Sequence, residues 1–184
     1  VEHDEVGVAY ADYENVFPHY SKREFKPSYS KVGLQLRCMV HSNALIKKKY
    51  LEAIRLPNGE FYKSALHGPA SQEFIGCTED YDLWLRVCAK YQVHYLEEPL
   101  IMKYGGHADQ LSYKHWGMDR FRIIALTKIL SEKVLTADDR AAAIDILSNK
   151  IDVFSAGAKK RGRMNDYQTY QAIKQKVCGL QAGY

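Results

Sequence analysis

Glu79, Asp80 and Asp82 place three carboxylates within four positions of the stretch GCTEDYDLWLR, Gly76 to Arg86. Acids so close together admit two readings. One of them can take the proton from a hydroxyl nucleophile, the work of a general base when the attacking oxygen is poorly nucleophilic at neutral pH. Alternatively, all three decorate a helix start, where the positive end of the backbone dipole stabilises each by about 0.3–1 kcal/mol. The local pattern suits the second reading. Thr78 can cap the helix by accepting from an orphan N–H. Trp84, Val87, Cys88 and Tyr91 then recur at i, i+3, i+4 and i+7, the stripe of a helix packed on one side. Successive helical positions also point about 100° apart, so the three acids cannot all face one cleft. A second cluster, KYGGHADQLS, runs from Lys103 to Ser112. The pair Gly105-Gly106 lets backbone approach a ligand closely. His107 is of a type that binds metal or phosphate, although a single histidine does not make a metal site.

The elements that must hold these residues read as α/β followed by an all-helical tail. Val6–Ala11 is small, apolar and β-prone, as in a strand covered on both faces. Pro18 and Pro27 argue for irregular structure from about Glu14 to Ser30. Residues 31–37 suit a short helix, Ser42–Ile46 a strand and Lys48–Ile54 a helix. Leu56–Phe74 is rich in turn signals and reads as a mobile loop with at most one helical turn. After the acidic helix, Val93–Leu96 and Pro99–Tyr104 read as two short strands. Asp119–Leu130 is apolar around much of its circumference, as a buried helix is. Thr136 caps the next helix, with Asp138 and Asp139 in its first turn and Ile144, Leu147, Ile151 and Phe154 along one face. Asn165 caps a last helix that turns Tyr167, Tyr170, Ile173 and Val177 inward. The division expected is 1–117 and 118–184.

The bulk numbers narrow the function classes. At 184 residues with 46% hydrophobic and 26% charged residues, the chain can bury a core. No apolar run is long enough to span a bilayer, and no signal peptide is visible at Val1. The sequence enters an apolar run almost at once, as a chain that starts partway through a longer protein would. A net charge of +4 is too mild to argue for nucleic acid. Lys47-Lys48-Lys49 and the run Lys159 to Arg163 read as solvated helix ends. Cys38, Cys77, Cys88 and Cys178 form no metal-binding spacing, so free thiols in a reduced, cytoplasmic setting are expected.

Taken together, TEDYDLWLR, EEPLIMKY and GGHADQLS resemble the C-terminal half of inverting, family-2-type glycosyltransferases of the GT-A fold. The resemblance covers Val6 to about Ser112. EVGVAYADYE is similar to the strand after that family's metal-binding DxD, and SNALIKKKYLEAI to its acceptor-side strand and helix. WGMDRFRIIALTKIL and AGAKKRGR resemble helical tails on some bacterial members. The resemblance implies a partial GT-A-like mixed sheet with flanking helices, in a cytoplasmic enzyme that can sit peripherally at the inner membrane. It implies transfer of a sugar, with inversion, from a nucleotide-diphosphate donor to a saccharide or lipid-linked acceptor. Asp80, the second acid of the Glu-Asp pair, would be the general base with Glu79 beside it. Donor contacts would come from His107, Gly105, Gly106, Asp82 and Trp84, with His107 also at the metal. The metal is a divalent cation, Mg or Mn, that also needs the DxD. Here the DxD and the nucleotide-binding strands are absent, and Asp80-Tyr81-Asp82 is the sole Asp-x-Asp. The expectation is therefore a fragment that binds nucleotide-sugar poorly by itself, with His107 within about 12 Å of Asp80, the span of one ligand-sized pocket. The competing reading is a non-catalytic binding or assembly module that uses the half-domain and the basic helical tail.

Overall fold

The structure is a computed structural model that describes residues 6–17, 20–24, 44–53, 71–104 and 116–181. Strands β1 (Val6–Phe17), β2 (Tyr20–Glu24), β3 (Ala44–Ile46) and β4 (Gln92–Tyr104) form one mixed sheet. Helices α1 (Lys48–Ala53) and α2 (Ser71–Lys90) accompany it. Helices α3 (Asp119–Ser131), α4 (Ala137–Lys160) and α5 (Met164–Gln181) follow. The chain divides into two compact units, Val1–Trp116 and Gly117–Tyr184.

In the first unit β1 is the central strand. Along one edge it pairs in parallel with β4 from Val6↔Gln92 to Val16↔Tyr104. Its other edge is shared antiparallel by β3, at Val8↔Ile46 through Tyr10↔Ala44, and by β2, at Tyr13↔Glu24 through Phe17↔Tyr20. A parallel pair needs a long crossover, and the chain from β2 to α2 supplies it. Because side chains alternate across a strand, this register sorts the sheet into two faces. Val8 and Tyr10, with their partners Ile46, Ala44, Val93 and Tyr95, face one way, and all of them pack with Leu83, Trp84, Val87 and Cys88 of α2. Tyr10 stacks on Tyr95 with ring centroids 5.1 Å apart. Tyr50 of α1 meets Tyr91, the single residue between α2 and β4, at 4.5 Å. The stripe expected from spacing is thus the side of α2 that meets the sheet.

Four expectations need correction. First, β1 runs on to Phe17 and β2 pairs back against it, where irregular structure was expected from Glu14. Pro18 falls between the two strands and so breaks neither ladder. Second, β4 is one strand, and its irregularity lies within it. Ala11 pairs Leu96, Asp12 pairs Pro99 and Tyr13 pairs Ile101, so Glu97, Glu98 and Leu100 are extra residues on the β4 side. A bulge tolerates a proline that has no N–H to give. Third, α2 begins at Ser71, not Thr78, and takes in the last four residues of the expected loop. Fourth, α5 begins at Met164, so Asn165 is already inside it. The remainder of the expected loop, the expected helix over 31–37 and residues 105–115 lie outside the described residues.

In the second unit, α3, α4 and α5 pack around a core of Phe121, Ile123, Leu126, Ile129, Leu147 and Ile151, with Phe154 against Tyr170 at 4.3 Å. The expected face of α4 is buried throughout. Thr136 caps that helix: its hydroxyl accepts from the Asp139 N–H at 3.2 Å and donates to the Asp139 carboxylate at 2.9 Å. At the other end, the Gly162 N–H donates to the Lys159 carbonyl at 3.1 Å, and the Arg163 N–H to that of Ala158 at 3.0 Å. This pair of bonds, with Gly162 at φ +69°, is a Schellman closure.

Candidate functional site

The acidic triplet sits mid-helix. Eight residues of α2 precede Glu79, so the helix-start argument for these acids no longer applies: a dipole acts within the first turn, and these residues lie beyond it. The sequence conceals this because Gly76 and the turn-rich stretch before it mimic a boundary. Extension of the helix through Ser71-Gln72-Glu73-Phe74-Ile75 satisfies backbone groups that a start at Thr78 would leave to caps.

Asp80 and Asp82 occupy contrasting surroundings. Asp80 is exposed, and its carboxylate accepts the backbone N–H of Tyr81 at 2.7 Å. Every residue from Tyr81 to Cys88 is buried, so beyond Asp80 the helix is covered around its whole circumference rather than along one stripe. Asp82 is inside that covered stretch at 2% exposure. Its Oδ2 accepts from Nε of Arg86, itself 5% exposed, at 3.2 Å. Two charges removed from water require such pairing, because each ion left alone in the interior would cost several kcal/mol. The spacing i, i+4 on one helix makes the pair possible. Trp84 faces the sheet in the core with Val8 and Tyr10. Of the acids whose side chains are described, Asp80 alone among the triplet meets solvent. Glu79 is one position earlier in the helix, and its side chain is outside the described set.

Gly105, Gly106 and His107 follow directly on β4, which ends at Tyr104, and lie outside the described residues, as does the separation of His107 from Asp80. Among the described residues no group of three His, Cys, Asp or Glu side chains is arranged to hold a metal ion. Cys88 is buried in the core beside Val8 and Tyr10. No helix of the described residues is long and apolar enough to cross a membrane. The signal that sequence reading missed is Arg86: a cation four residues after Asp82 on one helix is the spacing of an ion pair, and it marks that acid as a partner to a charge rather than as a base. No family model, characterised protein or solved structure matches the chain.

Proposed function

We propose that this chain is the acceptor-side part of an inverting sugar transferase of the GT-A type, with Asp80 as the general base. The observation that carries the reading is the contrast between Asp80 and Asp82. A base must reach a substrate hydroxyl, and of the two described acids of the triplet Asp80 is in solvent, while Asp82 is committed to Arg86 inside the fold. The pairing of β4 in parallel with the central strand also supports the reading, since α/β sheets bind ligands at the carboxyl ends of their strands, and Gly105, Gly106 and His107 follow β4 in sequence. In the reaction, Asp80 takes the acceptor hydroxyl proton as that oxygen attacks the anomeric carbon. The bond from that carbon to the diphosphate breaks as the new one forms, which inverts the centre. Gly105, Gly106 and His107 belong to the donor side of this proposal, where Mg or Mn would neutralise the departing diphosphate.

The test is Asp80→Asn in the enzyme that carries the nucleotide-binding strands, followed by release of nucleoside diphosphate. Turnover falls by about 10²–10⁴, and donor affinity stays nearly intact, because the lost interaction belongs to the transition state. Near-normal turnover in Asp80→Asn would refute the assignment. The binding-module reading draws on the exposed apolar side chains of Leu45, Leu96, Leu100 and Met102 on β3 and β4. It gains if no nucleotide-sugar is turned over while the chain still associates with a partner.

A further inference from the structure

The helical unit holds all of the chain's net positive charge. Residues 117–184 contain twelve Lys and Arg against seven Asp and Glu, an excess larger than the +4 of the whole protein. That charge peaks at one place, the turn from α4 into α5, where Lys159, Lys160, Arg161 and Arg163 fall within five positions. All four are exposed. The Schellman closure at Gly162 fixes the backbone of the turn, and Arg161 Nη1 donates to the Gly157 carbonyl at 3.0 Å. Lys159 lies over the ring of Tyr167, 5.7 Å from its centroid. Asp166 lies 3.8 Å from Arg163, and Lys174, further along α5, is engaged with Asp152 at 2.5 Å. At the tip, directly after Arg163, stands Met164, 45% exposed and apolar.

Four exposed cations followed directly by an exposed methionine give this turn both charged and apolar surface. We propose that this turn is a contact for an anionic lipid surface, with the Lys and Arg heads at the lipid phosphates and Met164 entering the acyl boundary. Unpaired RNA or DNA would need bases stacked on exposed aromatics beside the cations, and the aromatic here, Tyr167, is half-buried beneath Lys159. Since no described helix can span a bilayer, the protein would lie on the surface by this contact. The proposal draws on nothing at Asp80 and stands or falls separately from the transferase reading.

The test is sedimentation of the full chain with vesicles of phosphatidylcholine alone and of phosphatidylcholine mixed with phosphatidylglycerol. Binding is expected to the mixed vesicles only and weakens as salt rises. Each neutralised cation lowers partitioning about five-fold, so Lys159→Gln with Lys160→Gln lowers it about 25-fold. Met164→Gln leaves the charge unchanged and still weakens binding, which separates insertion from simple attraction. A tryptophan placed by Met164→Trp shifts its emission to the blue on binding. Circular dichroism confirms that each variant stays folded, as expected for exposed positions. Equal binding to neutral vesicles overturns the proposal. So does full retention of binding by Met164→Gln together with equally tight binding of single-stranded RNA, which would mark the turn as a general polyanion contact.

Discussion

Asp82 and Arg86 show how a charged pair in a covered helix constrains a sequence. Both lie almost wholly out of water, and their attraction offsets a desolvation cost that neither could bear alone. Removal of one partner leaves the other buried without it. Asp82→Asn is therefore expected to destabilise the fold by about 3–5 kcal/mol, whereas Asp82→Leu with Arg86→Met falls much closer to the parent. Urea unfolding of the parent, both single variants and the double variant checks this, and a double variant as weak as Asp82→Asn would contradict it. Asp119 gives a pH-dependent case. Burial pushes its carboxyl upward, but hydrogen bonds from Arg122 and Lys150, both at 3.0 Å, and their charges hold it below the ordinary value of 3.8. A carboxyl depressed in the folded state binds protons less readily there than in the unfolded chain. Its stabilising contribution is present above the unfolded value and is lost as pH falls through the lower folded one. Thermal melts from neutral to strongly acid pH should thus fall less steeply for Asp119→Asn than for the parent below about pH 4; parallel curves would show that the carboxylate contributes nothing.

At the scale of elements, closures decide where helices begin and end. Gly162 and Gly117 both have positive φ, +69° and +67°, but differ in what surrounds them. A Cβ at Gly162 would meet nothing within 4 Å, so Gly162→Ala costs only backbone strain, about 1–2 kcal/mol. At Gly117 the same atom would stand 2.6 Å from Cε2 of Phe154, whose ring is buried against Tyr170. Gly117→Ala thus adds a steric clash to the same strain and should lower the melting temperature more than Gly162→Ala. Equal losses would mean that the Phe154 ring gives way freely. The same logic explains α2. Asp80 and Asp82 lie past its first two turns, so what distinguishes them is exposure along the helix and not proximity to the dipole.

For the whole molecule, the division after Trp116 separates a sheet unit from a helical unit with its own core. The main contacts in the helical unit are between chain neighbours, α3 with α4 and α4 with α5, and local contacts assemble rapidly and with little loop entropy. The segment Gly117–Tyr184 expressed alone is therefore expected to give a helical circular dichroism spectrum with a cooperative melt. A non-cooperative melt would show that its core needs the sheet unit. In the sheet unit the contacts join Val6–Phe17 to Gln92–Tyr104 across the rest of that unit's sequence, so it should be the slower of the two to form.

The amino-acid sequence alone specifies the parts governed by local chemistry. Thr136 with Asp139, the apolar face of α4 and the Trp84–Val87–Cys88 stripe were all legible, because capping and periodicity act over one to three turns. It also determined that Asp80 and Asp82 must diverge, since two helical positions differ by about 200°. Which of them meets water was decided only by the tertiary structure. Leu83, Trp84, Val87 and Cys88 are buried against strand residues far along the chain, and no local pattern encodes that Asp82 is covered while Asp80 is not. The fusion of two expected strands into β4 was decided in the same way. Glu97-Glu98-Pro99 reads as a break, but the continuous partner β1 keeps both halves in one ladder and absorbs the surplus residues as a bulge.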